Sequence, residues 1–188
     1  MIQTPTHGTG LERELADYLQ RWPEEGESVR LFEALRVEDA DGRNAYARDR
    51  LAGHFTASCW LVDRTGARVL LTHHRKLGRW LQLGGHADGE RDLREVALKE
   101  AGEESGLAGL VAESAPFDLD RHWIPEHKGV PGHWHYDVRY VVRATAGEDF
   151  VVSDESHALA WRDIAGIAAD EGMDPSLRRM ARKWLAKL

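Results

Sequence analysis

Cysteine is nearly absent from this sequence: its 188 residues include one, Cys59. That excludes an internal disulfide framework and any zinc site built from several thiolates. Long apolar runs are missing too, and nothing approaches the roughly 20 residues that a membrane-crossing helix needs. The opening MIQTPTHGTG lacks the charged and apolar regions of a secretory signal. The expectation is a reducing, cytoplasmic setting with no membrane partner. Positive charge is also short. Twenty-five Lys and Arg face 32 Asp and Glu, a formal net charge of −7, which argues against a long nucleic acid as partner. A phosphate ligand would have to be met by local cations or by a metal. What the sequence has in excess is seven tryptophans and ten histidines, and the histidines fall mostly between Leu51 and His157.

Apolar periodicity divides the chain. Leu11, Leu15, Tyr18, Leu19 and Trp22 recur at helical spacing until Pro23, and Val29, Leu31, Phe32 and Leu35 suggest a second helix ending near Asp41-Gly42. A third short helix is expected over Ala45–Leu51. Residues 1–50 therefore read as an N-terminal helical extension, a surface for packing or for a homodimer. From His54 the pattern becomes that of strands: HFTASCWLVD (54–63) and RVLLTH (68–73) flank a turn at Thr65-Gly66. A basic loop and the apolar run WLQL lead to Gly84-Gly85. A helix follows over Asp92–Ser105, with Leu93, Ala97 and Ala101 inward and Gly106 as its stop. PFDLDRHWI (116–124) and HWHYDVRYVVRA (133–144) read as a hairpin, and ALAW (158–161) as a short strand. Asp174 and Pro175 open a terminal helix. This order predicts an α/β domain over 51–188, a mixed sheet covered by helices.

KEAGEESG (99–106) is the chemically pointed segment. Glu100 precedes Glu103 and Glu104 by three and four residues, so all three share one helix face. Their mutual repulsion costs stability unless a cation sits among them. Mg²⁺ and Mn²⁺ prefer such hard oxygen ligands and commonly use a few carboxylates, with substrate phosphates completing the shell. The plainer alternative is a solvated acidic face with Glu95-Lys99 and Lys99-Glu103 ion pairs.

The surrounding GGHADGERDLREVALKEAGEESGL (84–107) resembles the signature of the Nudix hydrolases, G-x5-E-x7-R-E-U-x-E-E-x-G-U with U apolar. Counted from Gly85, Glu100, Ala101, Glu103, Glu104, Gly106 and Leu107 fall on the pattern. Lys99 replaces its arginine. Arg91 stands where the earlier glutamate belongs, with Glu90 one residue before and Asp92 one after. The resemblance implies a Nudix-type α/β/α sandwich and a Mg²⁺- or Mn²⁺-dependent hydrolase. Its metal ligands would be Glu100, Glu103, Glu104 and a backbone carbonyl near Gly85, with Lys99 in the catalytic set. The substrate class it implies is a nucleoside diphosphate linked to another moiety. It also points to an acidic residue on the VSDESHALAW (152–161) loop as general base, Glu155 first and Asp154 next, with Glu103 as the alternative.

Substrate contacts are expected from Arg75, Lys76 and Arg79 in the basic loop, and from His86 beside the ligand glycine. Strand alternation adds a third group. Asp118, Asp120 and His122 share one face, and His133, His135 and Asp137 one face of the next strand. A turn near Lys128-Gly129 sets His122 opposite His135 and Asp120 opposite Asp137. This gives a substrate wall above the catalytic helix, a hydrogen-bonded polar sheet face, or a second metal site. Trp80 and Trp123 either stack a base or pack. Two other functions stay open: an enzyme like the isopentenyl diphosphate isomerases, which would depend on Cys59, and a non-catalytic nucleotide-binding module.

Overall fold

The computed structural model describes residues 10–75, 78–127, 129–152 and 156–187. Leu11, Leu15 and Tyr18 line the buried face of α1 (Gly10–Arg21), and Val29, Phe32 and Leu35 that of α2 (Gly26–Glu38). A π-helical turn over Asp39–Arg43 follows, broken by Gly42 at φ 82°. The third helix expected over Ala45–Leu51 is absent. The amides of Ala47, Arg50 and Gly53 each reach only three residues back. Two contacts hold the segment open: buried Asp39 accepts the Ala45 N–H at 2.9 Å, and the Ala45 carbonyl accepts from Phe55 at 2.8 Å.

Among the described residues seven strands form one mixed sheet: β1 (His54–Val62), β2 (Arg68–His74), β3 (Trp80–Leu81), β4 (Leu83–His86), β5 (Leu110–Ile124), β6 (His133–Ala144) and β7 (Ser156–Asp163). The main path is β3-β2-β1-β6-β5, with β4 paired to β1 and β7 to β2. β1 and β6 run parallel, while the other pairs are antiparallel. β5 and β7 are longer than the sequence suggests. β5 begins before Pro116, which is tolerated because the β5–β6 register shifts on either side of it.

Helix α3 (Leu93–Ser105) connects β4 to β5. It is capped by Asp92, and Gly106 closes it in the left-handed region at φ 68°. A short helix α4 (Ile164–Ala169), without a clear sequence signal, precedes α5 (Pro175–Lys187).

Alternation along β1 sorts the core into two layers. Phe55, Ala57, Cys59 and Leu61 pack with the buried residues of α1, α2 and α3. Trp60 and Val62 pack with Ile164 and Ile167 of α4 and with Leu177, Met180 and Trp184 of α5. The helices of the N-terminal segment thus share a core with α3. On the other side Trp184 donates its indole N–H to the Gly66 carbonyl at 2.8 Å, pinning the β1–β2 turn under α5. Among the described residues no helix is long and apolar enough to cross a membrane.

Candidate active site at the junction of β4 and α3

The loop entering α3 is held from several directions. Asp92 accepts the N–H groups of Arg94 and Glu95 at 3.1 and 3.2 Å, an N-cap that satisfies otherwise orphaned helix donors. Glu90 accepts those of Arg91 and Asp92 at 2.7 and 2.9 Å. Both acids considered for the upstream position of the signature are therefore engaged in starting the helix. The N-terminal segment completes the clamp. Arg48 pairs with Asp88, Arg91 pairs with Asp39, and the Gly89 N–H reaches the Tyr46 carbonyl at 2.9 Å.

One turn from the end of α3 the glutamates meet β4. Glu104 is buried, and its Oε1 accepts the Gly84 N–H at 2.7 Å. The Glu100 carboxylate lies so close to Gly85 that a Cβ built there would sit 2.6 Å from it. Glycine at 85 is thus demanded by close approach of a carboxylate to the backbone. At Gly84 a Cβ would come within 2.3 Å of the Ser58 Cβ. Glu103 is exposed, with the Lys99 ammonium 3.7 Å away. Beside them opens a cleft of about 410 Å³ lined by His86, Asp88, Glu90, Glu95, Lys99 and Glu100. Two carboxylates, those of Glu100 and Glu104, thus approach the Gly84-Gly85 backbone, and carboxylate oxygens are the hard donors that Mg²⁺ and Mn²⁺ prefer.

The predicted hairpin register is the one observed: His122 pairs with His135 and Asp120 with Asp137. The polar stripe does not, however, stand above α3. His54, Thr56 and Ser58 of β1 alternate with the α3-facing residues and pair across to His135, Asp137 and Arg139. The stripe lies on the face that also carries Trp60 and α5. Here the acids are locked in ion pairs. Arg139, fully buried, donates to Asp137 at 2.8 Å and to Asp118 at 3.3 Å, and lies 3.2 Å from Asp120. Arg179 of α5 reaches Asp118 and Asp120 at 2.6 and 2.8 Å, and Lys183 reaches Asp118 at 2.7 Å. Asp137 further accepts from Thr56 and Ser58. Burial pushes the Asp120 carboxyl up, but the hydrogen bond from His122 and the charges of Arg139 and Arg179 outweigh it and hold it well below its ordinary value.

The histidines separate from the acids and gather at one end of the stripe. The His54 ring lies 5.1 Å from His133, 4.8 Å from His135 and 5.3 Å from His86. Burial, then the neighbouring His86 and His54, push His135 down to about 2. Burial and then Arg48 push His86 down to about 4. These two rings are neutral at neutral pH.

The remaining sequence candidates are scattered. Arg75 donates to the Ser156 carbonyl at 3.3 Å, and Arg79 pairs with Asp174 at the start of α5 at 3.4 Å. Lys76, Asp154 and Glu155 lie outside the described residues. Trp123 is exposed and packs edge-to-face on Trp134 at 5.2 Å. Half-buried Trp80 sits 5.2 Å from His73, with the Arg162 guanidinium 5.4 Å from its ring. Cys59 is fully buried in the α3-side core, and burial pushes its thiol well above the ordinary range. Sequence reasoning missed three residues: His54, Arg139 and Arg48. Arg139 was within reach of it, since it alternates with His135 and Asp137. His54 and Arg48 depend on long-range pairing that leaves no local signal.

A family model described as the NUDIX domain matches residues 53–184. No curated protein matches the chain by sequence. Among solved structures, a Nudix-family hydrolase from Clostridium perfringens is 22% identical with a TM-score of 0.56, covering 72% of this chain and 98% of its own. A MutT protein from Methanosarcina mazei Go1 is 16% identical with a TM-score of 0.57, covering 73% and 96%. An Ap4A hydrolase from C. elegans is 17% identical with a TM-score of 0.54, covering 71% and 96%. At these identities the structural likeness speaks for the fold, while the family model spans well over half of the sequence. The chain belongs to the Nudix family.

Proposed function

We propose that the protein is a Mg²⁺- or Mn²⁺-dependent hydrolase that cleaves a phosphoanhydride bond in a nucleoside diphosphate linked to another moiety. The observation that carries this reading is the approach of Glu100 and Glu104 to the Gly84-Gly85 backbone at the mouth of an acidic cleft. Glu100, Glu103, Glu104 and the Gly85 carbonyl would hold the metal. A metal held by these groups would supply charge neutralisation of the diphosphate and a more acidic water for in-line attack. The chain's own residues set the stage for it. The Gly84 N–H fixes the Glu104 carboxylate, and the Arg48–Asp88 and Arg91–Asp39 pairs brace the loop before α3. Glu103, exposed beside Lys99 where Glu100 is half-buried and Glu104 buried, is the member of the glutamate turn most open to a water entering from solvent, and so would take its proton.

The isomerase alternative loses its support, because Cys59 is enclosed in the core where no substrate reaches it. The deciding experiment incubates the purified protein with nucleoside triphosphates, dinucleoside polyphosphates, ADP-ribose and nucleotide sugars, under Mg²⁺ and then Mn²⁺. Phosphorus NMR should show hydrolysis of at least one substrate, stopped by a chelator. Saturable binding with no product under either metal would overturn the reading in favour of a binding module.

A further inference from the structure

The histidine group on the α5 face has no part in the proposed hydrolysis, yet its nitrogens are arranged for coordination. One ligand nitrogen each from His54, His133 and His135 lies within 4.8 Å of the others. His133 Nδ1 is 2.8 Å from the Pro131 carbonyl, and His54 Nδ1 is 3.2 Å from the Arg50 carbonyl. A carbonyl oxygen only accepts, so both rings carry their proton on Nδ1 and turn a bare Nε2 inward. This backbone fixing of the tautomer is the outer-shell arrangement typical of metal-binding imidazoles. His54 Nε2 is buried and has no protein hydrogen-bond partner among the described residues, a costly position for an acceptor that nothing fills. The bare His133 Nε2 accepts the Nε2–H of His135 at 3.2 Å, a proton that a metal ion held between the two rings would replace. Two imidazole nitrogens on one tetrahedral zinc, each about 2.0–2.1 Å from it, are separated by about 3.3–3.4 Å.

We infer that His54, His133 and His135 form a second metal site for a borderline transition ion such as Zn²⁺ or Co²⁺, separate from the glutamate site. Its all-nitrogen donor set disfavours Mg²⁺ and Mn²⁺. Three protein ligands leave a fourth position for a water or a ligand oxygen. The site ties together the start of β1 and the start of β6, which pair in parallel at His54 and His135. His86 borders it, with its ring 5.0 Å from His135, and directly follows the glycine that receives Glu100. The two sites therefore back onto opposite faces of β4.

Metal-free protein titrated with Co²⁺, read by visible absorption without substrate, tests this independently of hydrolysis. The expected result is one equivalent of Co²⁺ giving the intense d–d bands of a four-coordinate nitrogen site, displaced by Zn²⁺. Half-buried His135 allows a mild variant: His135→Gln should weaken binding by at least about 100-fold, beyond what loss of an outer-shell partner costs. Circular dichroism would confirm that it folds. Glu100→Gln and Glu103→Gln should leave the bands in place. Absence of bands from the wild-type protein at stoichiometric Co²⁺ overturns the inference. So does their loss in the glutamate variants with retention in His135→Gln.

Discussion

β4 separates two polar regions that handle charge in opposite ways. On the α3 side, Glu100 and Glu104 lie along the Gly84-Gly85 backbone, while Glu103 faces solvent with one exposed lysine beside it. On the α5 side, Asp118, Asp120 and Asp137 are drawn into a buried lattice with Arg139, Arg179 and Lys183. The second arrangement neutralises its carboxylates with protein cations, of which Arg179 alone is partly exposed. The first keeps acid at the surface, at the mouth of a cleft. Acidic clusters are thus told apart by what neutralises them: a protein cation makes scaffold, while solvent access with backbone anchoring makes a candidate site.

The sharpest break in this comparison comes from removing one charge on the open side. Glu103→Gln should lower metal-dependent hydrolysis by roughly 10²–10⁴-fold, the range for loss of a general base. The melting temperature should stay close to wild type, because the side chain is exposed. Turnover equal to wild type in steady-state assays would remove Glu103 from the chemistry and return attention to the 152–161 loop.

The closed side should fail in the opposite way. Arg139→Met strands Asp137 and weakens the hold on Asp118 and Asp120, and breaking a buried pair costs about 3–5 kcal/mol. Urea unfolding should show that loss as a lower midpoint; a change below about 1 kcal/mol would mean that Arg179 and Lys183 suffice. The same lattice predicts acid lability. The folded Asp120 carboxyl titrates below its unfolded value, so its stabilisation is complete above the ordinary carboxylate pKa of about 4 and is lost as pH falls below it. Unfolding midpoints measured from pH 6 downward should drop for the wild type and less for Asp120→Asn.

Local spacing made much of this legible. The glutamate turn, its Asp92 and Gly106 boundaries and the β5–β6 register follow from periods of 3.6 and 2 within a few dozen residues. The side of the sheet was harder. Alternation sends the neighbours Gly85 and His86 to opposite layers, but which layer the β5–β6 stripe joins is decided by the pairing of β1 with β4 and β6. His54 joined that stripe only through the parallel β1–β6 pair, in which Thr56 meets Asp137 across 81 positions. Arg48 reached Asp88 across 40. No short-range pattern encodes such partners. The Ala45–Leu51 helix failed differently, on nearby groups: the Ala45 N–H and carbonyl are bonded to Asp39 and Phe55.

Gly85→Ala tests whether the two faces are held apart by β4 itself. The new methyl would have to displace the Glu100 carboxylate. A misplacement of about 1 Å in a reacting assembly costs on the order of 10²-fold. Hydrolysis should fall by that amount, and Co²⁺ binding by the histidines should persist, since they lie on the other side of the strand. Loss of both would mean that β4 itself is deformed and that the two regions are coupled.

Lys99→Arg should give the smallest effect and the finest reading. Arginine would restore the planar fork that can grip a carboxylate with two hydrogen bonds. Lys99 and Glu103 are 67% and 59% exposed, however, and exposed ion pairs contribute about 0.2–1 kcal/mol. If Lys99 only steadies Glu103, the change in kcat/KM stays within roughly fivefold, and Lys99→Ala costs no more than that. A loss beyond tenfold in Lys99→Ala with little change in KM would show that the ammonium acts on charge developing in the transition state. Lysine would then be a functional choice at this position, and the open side of β4 would owe part of its chemistry to a cation of its own.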